Sequence, residues 1–96
     1  RIGQLLGVRV TLIGNDGRVL GDSAEAAERL PLLENHATRP EVVRARAGGL
    51  GVDRRSSSTV GVEMVYVAVP SPHAQVAVVR LALPLTSVRQ QLHRGK

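Results

Sequence analysis

The chain has 96 residues, a length that suits one domain with one hydrophobic core and excludes a binding domain joined to a separate catalytic one. Hydrophobic residues make up 43% of the sequence, yet Tyr66 is its single aromatic residue, so the core is expected to consist of Val, Leu, Ile and Ala. The absence of cysteine excludes disulfides, thiol catalysis and thiolate metal sites. The sequence contains no run of about 18 apolar residues that would indicate a membrane span.

The formal net charge is +5, and all of the 13 basic residues except Lys96 are arginine. A basic chain is typical of proteins that bind anions or nucleic acids. The basic residues are nevertheless spread singly along the chain, apart from the adjacent Arg54 and Arg55, and Tyr66 alone provides no aromatic platform for stacked bases. The pattern therefore argues against nucleic-acid binding.

The first predicted elements form a β-hairpin. Val8 to Ile13 alternates between two faces, which is the period of a strand with one buried face. Gly14 to Gly17 has the composition of a tight hairpin turn, because Asn, Asp and Gly tolerate positive φ. Arg18 to Asp22 forms the returning strand. The run from Ser23 to Leu33 fits either a short helix or an irregular connection.

A helix is predicted to begin near Pro40. Thr38 and Glu41 have the spacing of a capping box, in which the Thr38 hydroxyl accepts a hydrogen bond from the Glu41 amide and the Glu41 carboxylate reaches back. Gly48 and Gly49 supply the left-handed backbone that commonly ends a helix. The side chains expected to point inward are Val42, Val43, Ala45 and Ala47.

Three further strands follow the helix. Val52 to Thr59 is polar and suits an edge strand or the wall of a pocket, and a turn is predicted near Val60 and Gly61. Glu63 to Pro70 and Gln75 to Pro84 are the two most apolar strands. They are therefore expected at the centre of the sheet.

The links between strands outside the helical connection are short, so neighbouring strands are expected to be antiparallel. The elements then build an α+β fold with a five-stranded antiparallel sheet and a helical connection over one face. The stripe that predicts a final amphipathic helix consists of Leu85, Val88 and Leu92. The expected core positions are Val10, Leu12, Val42, Val65, Val67, Val79 and Leu81.

Short motifs also occur in a characteristic order along residues 8 to 88. They are Val10-Thr11-Leu12-Ile13, Asp16-Gly17-Arg18-Val19-Leu20, Asp22-Ser23, Glu34-Asn35-His36, Arg39-Pro40-Glu41, Gly48-Gly49, the run from Met64 to Pro70 and the run from Val79 to Leu85. With these motifs the chain resembles the extracytoplasmic sensor domains of phosphate-regulon and cell-wall type bacterial sensor histidine kinases. One departure is the stretch between Ser23 and Glu34, which is longer than the family pattern.

The resemblance implies a PAS-like fold for residues 1–96, held as a single extracytoplasmic sensor domain between two membrane helices. Residues 1–7 would be the end of a truncated amino-terminal helix, and residues 85–96 the start of the helix that leads to the second membrane span. The implied function is signal input to the cytoplasmic kinase core of a two-component system, within a homodimer in the cell membrane. The domain itself would be non-catalytic.

The residue types that catalysis or metal binding requires lack the necessary spacing. His36, His73 and His93 have no metal-ligand spacing among themselves or with the acidic residues. Ser56 lies in a strand-like run without the sharp Gly-x-Ser-x-Gly turn of a hydrolase. The glycines between positions 48 and 51 follow a helix instead of opening one, which is the wrong order for a phosphate loop. We therefore expect no catalytic residue, no metal site and no cofactor.

A ligand site is expected beneath the helical connection, where PAS-like sensors, which this chain resembles, bind their ligands. Arg54 and Arg55 are consecutive in a strand, so at most one of them faces such a pocket. An inward arginine near Arg39, at the start of a helix, would favour an anion. The candidate ligand-binding residues are Asn35, His36, Arg39, Arg54, Arg55, Ser56 and Tyr66.

Alternatives stay open at this point for both the residues and the function. Asn35 and His36 also suit a structural role in the connection that leads to the helix, and the arginines also suit ordinary surface charge. The partner is accordingly a small anionic molecule or another extracytoplasmic protein. The second function class is a non-catalytic protein-interaction or dimerisation module with no small-molecule ligand.

Overall fold

Residues 7–56 and 62–85, which the computed structural model describes, form a five-stranded antiparallel sheet with a helical connection between its second and third strands. The strands are β1 (Arg9–Ile13), β2 (Val19–Asp22), β3 (Gly51–Ser56), β4 (Glu63–Pro70) and β5 (Val78–Pro84). The connection contains a 3₁₀ helix (Ala27–Leu32) and an α-helix, α1 (Pro40–Arg46). The predicted α+β fold with five antiparallel strands is confirmed.

The sheet order is β2-β1-β5-β4-β3, so the two most apolar strands lie inside the sheet. β5 is the central strand and pairs with both β1 and β4. The polar strand β3 lies at the edge, as its sequence predicts. β4 has its predicted bounds, whereas β5 begins at Val78 instead of Gln75. The residues before Val78 form a turn, in which the Val76 amide donates to the His73 carbonyl oxygen at 3.3 Å.

β1 and β2 form the predicted hairpin. The Gly14 amide donates to the Arg18 carbonyl oxygen at 2.9 Å, and the Gly17 amide donates to the Gly14 carbonyl oxygen at 3.0 Å. Gly17 has a φ of 86°, which residues with a side chain rarely adopt. The turn therefore depends on a glycine at this position.

α1 ends in the predicted glycine motif. The Gly48 amide donates to the Ala45 carbonyl oxygen at 3.0 Å, and the Gly49 amide donates to the Arg44 carbonyl oxygen at 3.3 Å. Gly48 has a φ of 98°. These two hydrogen bonds form a Schellman motif, which satisfies carbonyl groups that a helix end leaves free.

The predicted capping box at the start of α1 is wrong. Arg39 is the N-cap residue, and its side chain makes no capping hydrogen bond within the described part of the chain. The Glu41 carboxylate turns toward the sheet because two arginines bind it there. Val43 and Ala47, which were expected to point inward, are exposed, because a helix of seven residues presents a narrow buried stripe. The buried apolar side chains of α1 are Val42 and Ala45.

Strand pairing divides the side chains of the sheet between two faces. Thr11, Arg80 and Ala68 are paired in one row across β1, β5 and β4, and paired residues of antiparallel strands point to the same face. We call this face the inner face, because its buried residues pack against α1. The core between the inner face and α1 consists of Ile13, Val42, Ala45, Ala68 and Val78.

Of the seven predicted core positions, Val42 is buried and the other six are wrong. The other six lie on the opposite face of the sheet, which we call the outer face: Val10, Leu12, Val65, Val67, Val79 and Leu81. Leu12 is 36% exposed, and the other five side chains are partly exposed. These strands are apolar on both faces for much of their length, so alternation alone does not indicate which face a helix covers.

Several predictions concern residues outside the described ranges and stay predictions. They are the amino-terminal helix end before Gly7, the continuation of the polar strand beyond Ser56, the turn near Val60 and Gly61, and the final helix after Leu85. Within residues 7–56 and 62–85, no helix has the length and apolar character needed to cross a membrane.

Candidate functional site

A pocket with a volume of about 310 Å³ lies between the inner face of the sheet and the connection that leads to α1. Its lining residues are Arg9, Leu33, Glu34, His36, Arg39, Arg55, Tyr66 and Arg80. Four of these residues are arginines, and Glu34 is the acidic residue among them. The walls of the pocket are therefore strongly positive.

Strand register brings these side chains together from distant parts of the sequence. Ala82 is paired with Arg9 on one side and with Tyr66 on the other, so all three point to the inner face. Arg80 lies two residues before Ala82 and points the same way. The pairing of β3 with β4 turns Arg55 to the same face.

Glu41, in the first turn of α1, is fully buried and binds two of the arginines. Arg55 Nη1 donates to Glu41 Oε1 at 2.8 Å, and Arg55 Nη2 donates to Glu41 Oε2 at 3.2 Å. Arg80 Nη1 donates to the same Oε2 atom at 3.2 Å. Burial alone would raise the pKa of Glu41, but the hydrogen bonds from the two arginines outweigh it and hold this pKa below its usual value. The Glu41 carboxylate thus ties α1 to β3 and β5.

Tyr66 lies close to both of these guanidinium groups. Arg55 Cζ is 3.9 Å and Arg80 Cζ is 5.0 Å from the centre of the Tyr66 ring, which are cation–π distances. Arg55 also donates to Asp53 on its own strand. The hydrogen bond to Glu41, with a smaller contribution from Asp53, raises the pKa of Arg55 against the effect of burial. Arg55 is therefore held firmly as a cation in the floor of the pocket.

Three buried nitrogen atoms around the pocket have no hydrogen-bond partner among the described residues: His36 Nδ1, Arg39 Nε and Arg80 Nε. A buried polar group without a partner costs about 1–3 kcal/mol, and a charged one costs more. Arg80 is the clearest case, because its side chain is 7% exposed and burial lowers its pKa despite the hydrogen bond to Glu41. The site has more cationic hydrogen-bonding capacity than its own carboxylates satisfy.

The connection that carries His36 is fastened to the turn of the β1–β2 hairpin. The His36 amide donates to the Gly17 carbonyl oxygen at 2.9 Å. Asn35 Nδ2 donates to the Asp16 carbonyl oxygen at 2.9 Å, and Asn35 Oδ1 accepts from the Ala37 amide at 2.8 Å. Asn35 therefore holds the backbone that presents His36 to the pocket.

His36 itself lies in the wall of the pocket and is nearly buried. Burial and the positive charges of Arg80 and Arg39 lower its pKa from the usual value of 6.5, and they outweigh the backbone of Glu34 and Asn35, which raises it. The imidazole is therefore neutral at neutral pH.

An ion pair between Arg9 and Asp22 closes the β1 side of the pocket. Arg9 Nε donates to Asp22 Oδ1 at 2.9 Å, Thr11 Oγ1 donates to Asp22 Oδ2 at 2.9 Å, and the Ala24 amide donates to Oδ1 at 2.8 Å. Burial would raise the pKa of Asp22, but these donors together lower the pKa below its usual value. Asp22 thereby fixes the Arg9 guanidinium beside the pocket.

The structure brings together four of the seven candidate ligand-binding residues, which are His36, Arg39, Arg55 and Tyr66. Arg54 points to the outer face instead, where its Nε donates to Glu63 at 3.2 Å. Asn35 is engaged with the hairpin turn, and Ser56 is exposed at the end of the edge strand. These three residues are therefore not part of the pocket wall.

Sequence reasoning missed Arg9, Arg80 and Glu41. Arg80 is the one charged residue in the apolar run from Val76 to Pro84, and a charge in such a strand signals a buried ion pair. Glu41 was assigned to a capping box, which concealed its role in the core. No cluster of three or more His, Cys, Asp or Glu suited to a metal ion occurs within the two described ranges.

No family model matches this chain, and no curated protein matches it. Among solved structures, the chain is similar to the sensor domain of the V. cholerae histidine kinase DctB, with a TM-score of 0.72 and 23% sequence identity. The match covers 93% of this chain and 36% of that chain. The chain therefore has a PAS-like fold, which it shares with part of that structure, and it spans about a third of that structure's length.

Proposed function

We propose that this chain is the extracytoplasmic signal-input domain of a membrane-bound histidine kinase, and that its pocket binds a small anion. The fold shared with a histidine-kinase sensor domain supports the sensory role. The motif resemblance to phosphate-regulon and cell-wall type kinases supports the same class. In the full protein the domain acts in a homodimer, and it passes the signal to a cytoplasmic kinase core.

The surplus of buried cationic donors is the observation that carries the anion proposal. Arg80 has five N–H donors, and within the described residues its side chain donates one hydrogen bond, to Glu41. Arg39 lies 3.7 Å from the nearest oxygen of Glu34, whose own side chain is largely exposed. An anion between Arg39 and Arg80 supplies the acceptors that these two side chains lack.

The shape and chemistry of the pocket limit the kind of anion. Guanidinium groups bind carboxylate, phosphate and sulfate groups through two parallel hydrogen bonds, whereas a lysine ammonium acts as a point charge. A volume of about 310 Å³ is at the small end of ligand pockets. The pocket therefore suits a small molecule with one or two acidic groups.

Glu41 provides a physical route from the pocket to the rest of the domain. Its carboxylate shares Arg55 and Arg80 with any anion in the pocket, and it belongs to the first turn of α1. An anion that draws these guanidinium groups toward itself weakens their hold on Glu41. Ligand binding thereby alters the contacts between α1 and the strands that α1 covers.

A thermal-shift screen tests the anion proposal directly. Phosphate, sulfate, small carboxylates and cell-wall fragments are compared at constant ionic strength, and a ligand of the folded state raises Tm with its concentration. Arg39→Gln is compared with Arg54→Gln. Each variant loses one partly exposed arginine that is paired with a glutamate, but Arg39 lines the pocket and Arg54 does not.

We expect Arg39→Gln to remove most of the rise in Tm and Arg54→Gln to keep it. Equal losses of the Tm rise in the two variants would mean that anion binding depends on the net charge of the domain alone. A flat response of the wild-type domain to every anion would reject the small-molecule proposal and leave the partner-binding alternative.

A second candidate function is that of a protein-interaction or dimerisation module without a small-molecule ligand. The outer face favours it, because large aliphatic side chains are exposed there, including Val52 and Val69 at 45% and 41%. For the sensor proposal, the domain without membrane anchors is expected to self-associate only weakly. A domain that stays monomeric in sedimentation even after its termini are fused to a dimeric coiled coil would argue against the homodimer.

A further inference from the structure

We propose that the pocket binds its anion together with a proton, which His36 takes up, so that affinity for the anion rises as the pH falls. The inference rests on the proposed anion site and adds its regulation. It assigns His36 as a ligand-contacting residue that is charged in the complex and neutral in the free domain.

The placement of His36 is the first argument. Its side chain is only 9% exposed, it forms part of the pocket wall, and its Nδ1 atom is buried without a partner among the described residues. Arg39 and Arg80 carry the other two buried nitrogen atoms of this kind, and both line the same pocket. Three side chains with spare hydrogen-bonding capacity therefore surround one small space.

The charges around His36 are the second argument. The charged and titratable groups that share the pocket with it are Arg9 from β1, Arg55 from β3, Tyr66 from β4, Arg80 from β5, and Glu34 and Arg39 from the connection. Glu41 from α1 lies behind Arg55 and Arg80 and is already occupied by them. Asp22 pairs with Arg9, and Asp53 pairs with Arg55. The charges of Arg80 and Arg39 act most directly on His36 and disfavour a further positive charge there until an anion arrives.

An anion reverses this balance. In the free domain, burial and the charges of Arg80 and Arg39 lower the pKa of His36. A bound anion offsets the charges of the arginines and accepts a hydrogen bond from the imidazolium, so it raises that pKa. A group with a higher pKa in the complex takes up a proton on binding, and affinity then increases by up to about tenfold for each pH unit of decrease between the two pKa values.

Sulfate is the probe that separates this effect from the ligand's own titration, because sulfate keeps its charge throughout the range of interest. Its binding is measured by isothermal titration calorimetry at about pH 5.5, 6.5 and 7.5 at constant ionic strength, a range in which histidine titrates. The variant is His36→Gln, which cannot titrate. The matched control is His73→Gln, since His73 is exposed in the loop between β4 and β5.

We expect the sulfate affinity of the wild-type domain and of His73→Gln to rise about tenfold as the pH falls from about 7.5 to about 5.5. The sulfate affinity of His36→Gln is expected to change little over the same range. The imidazole resonance of His36 in NMR provides a readout that needs no variant, and saturating sulfate is expected to shift its titration to higher pH. Sulfate binding that is independent of pH, or a slope that survives in His36→Gln, would overturn this inference and leave the anion pocket standing. No sulfate binding at any pH, together with a flat thermal-shift screen, would overturn both the proton uptake by His36 and the anion pocket.

Discussion

Arg80 and Glu41 form a buried ion pair that joins the central strand to α1: Arg80 Nη1 lies 3.2 Å from Glu41 Oε2, and the two side chains are 7% and 0% exposed. Charges withdrawn from water are stable only with a partner, and Glu41 also binds Arg55. The pair thus links the buried interior to the candidate pocket, because Arg80 lines the pocket and Glu41 lies behind it.

Glu41→Gln is expected to destabilise the domain by about 3–5 kcal/mol, because the substitution leaves Arg80 charged and buried without its carboxylate. The free energy of unfolding is measured by urea denaturation at neutral pH. Glu63→Gln is the control, since Glu63 pairs with Arg54 at an exposed position and its loss should cost less than about 1 kcal/mol. Equal losses of unfolding free energy in the two variants would mean that the buried pair adds no more to stability than the exposed pair does.

Asp22 is expected to make stability depend on pH in the acidic range. Its pKa in the folded domain lies below the usual value of 3.8, so its contribution is present above about pH 4 and is lost as the pH falls through the folded value. Asp22→Asn should therefore lower the free energy of unfolding at neutral pH and flatten its decline toward about pH 3. The exposed Glu28→Gln is the control, and an unchanged acid profile in Asp22→Asn would contradict the prediction.

Gly51 is required for the close approach of β3 to α1. A Cβ atom at this position would overlap the Glu41 carbonyl oxygen and lie 2.6 Å from the carbonyl carbon, and these backbone atoms cannot move aside alone. Gly51→Ala should cost about 1–3 kcal/mol or more in urea denaturation. Gly49→Ala is the control, because its Cβ would meet the Arg44 carbonyl oxygen at an ordinary 3.8 Å. If both variants unfold at the same urea concentration, α1 does not pack on β3 as closely as the structure has it.

Asn35 is expected to act through structure and not through ligand contact. Its side chain donates one hydrogen bond to Asp16 in the hairpin turn and accepts one from the Ala37 amide within the connection, so Asn35→Ala should cost about 1–2 kcal/mol of stability. Asn15→Ala, at an exposed position in the same turn, is the control for the loss of an asparagine side chain. The free energy of unfolding of each variant is measured by urea denaturation. Loss of anion binding in Asn35→Ala without any loss of stability would instead assign Asn35 to the ligand.

Several local elements of this protein were predictable from sequence alone. The hairpin turn depends on the left-handed Gly17, the end of α1 depends on Gly48, and the apolar composition of β4 and β5 places them inside the sheet. Each of these features is decided by residues within a few positions of one another. Backbone sterics and local hydrogen bonds act over that range, so a sequence pattern is sufficient to indicate them.

The face of the sheet that α1 covers, and with it the core and the site, was decided only by tertiary structure. Val10 and Leu12 were favoured as core positions, but Thr11 and Ile13 are the residues of β1 that are buried. Glu41 binds Arg80, which lies 39 positions away, although its spacing from Thr38 suggested a helix cap. A buried charge takes the partner that removes the largest desolvation cost. That partner is identified by the packing of α1 on the sheet, which no local pattern of residues specifies.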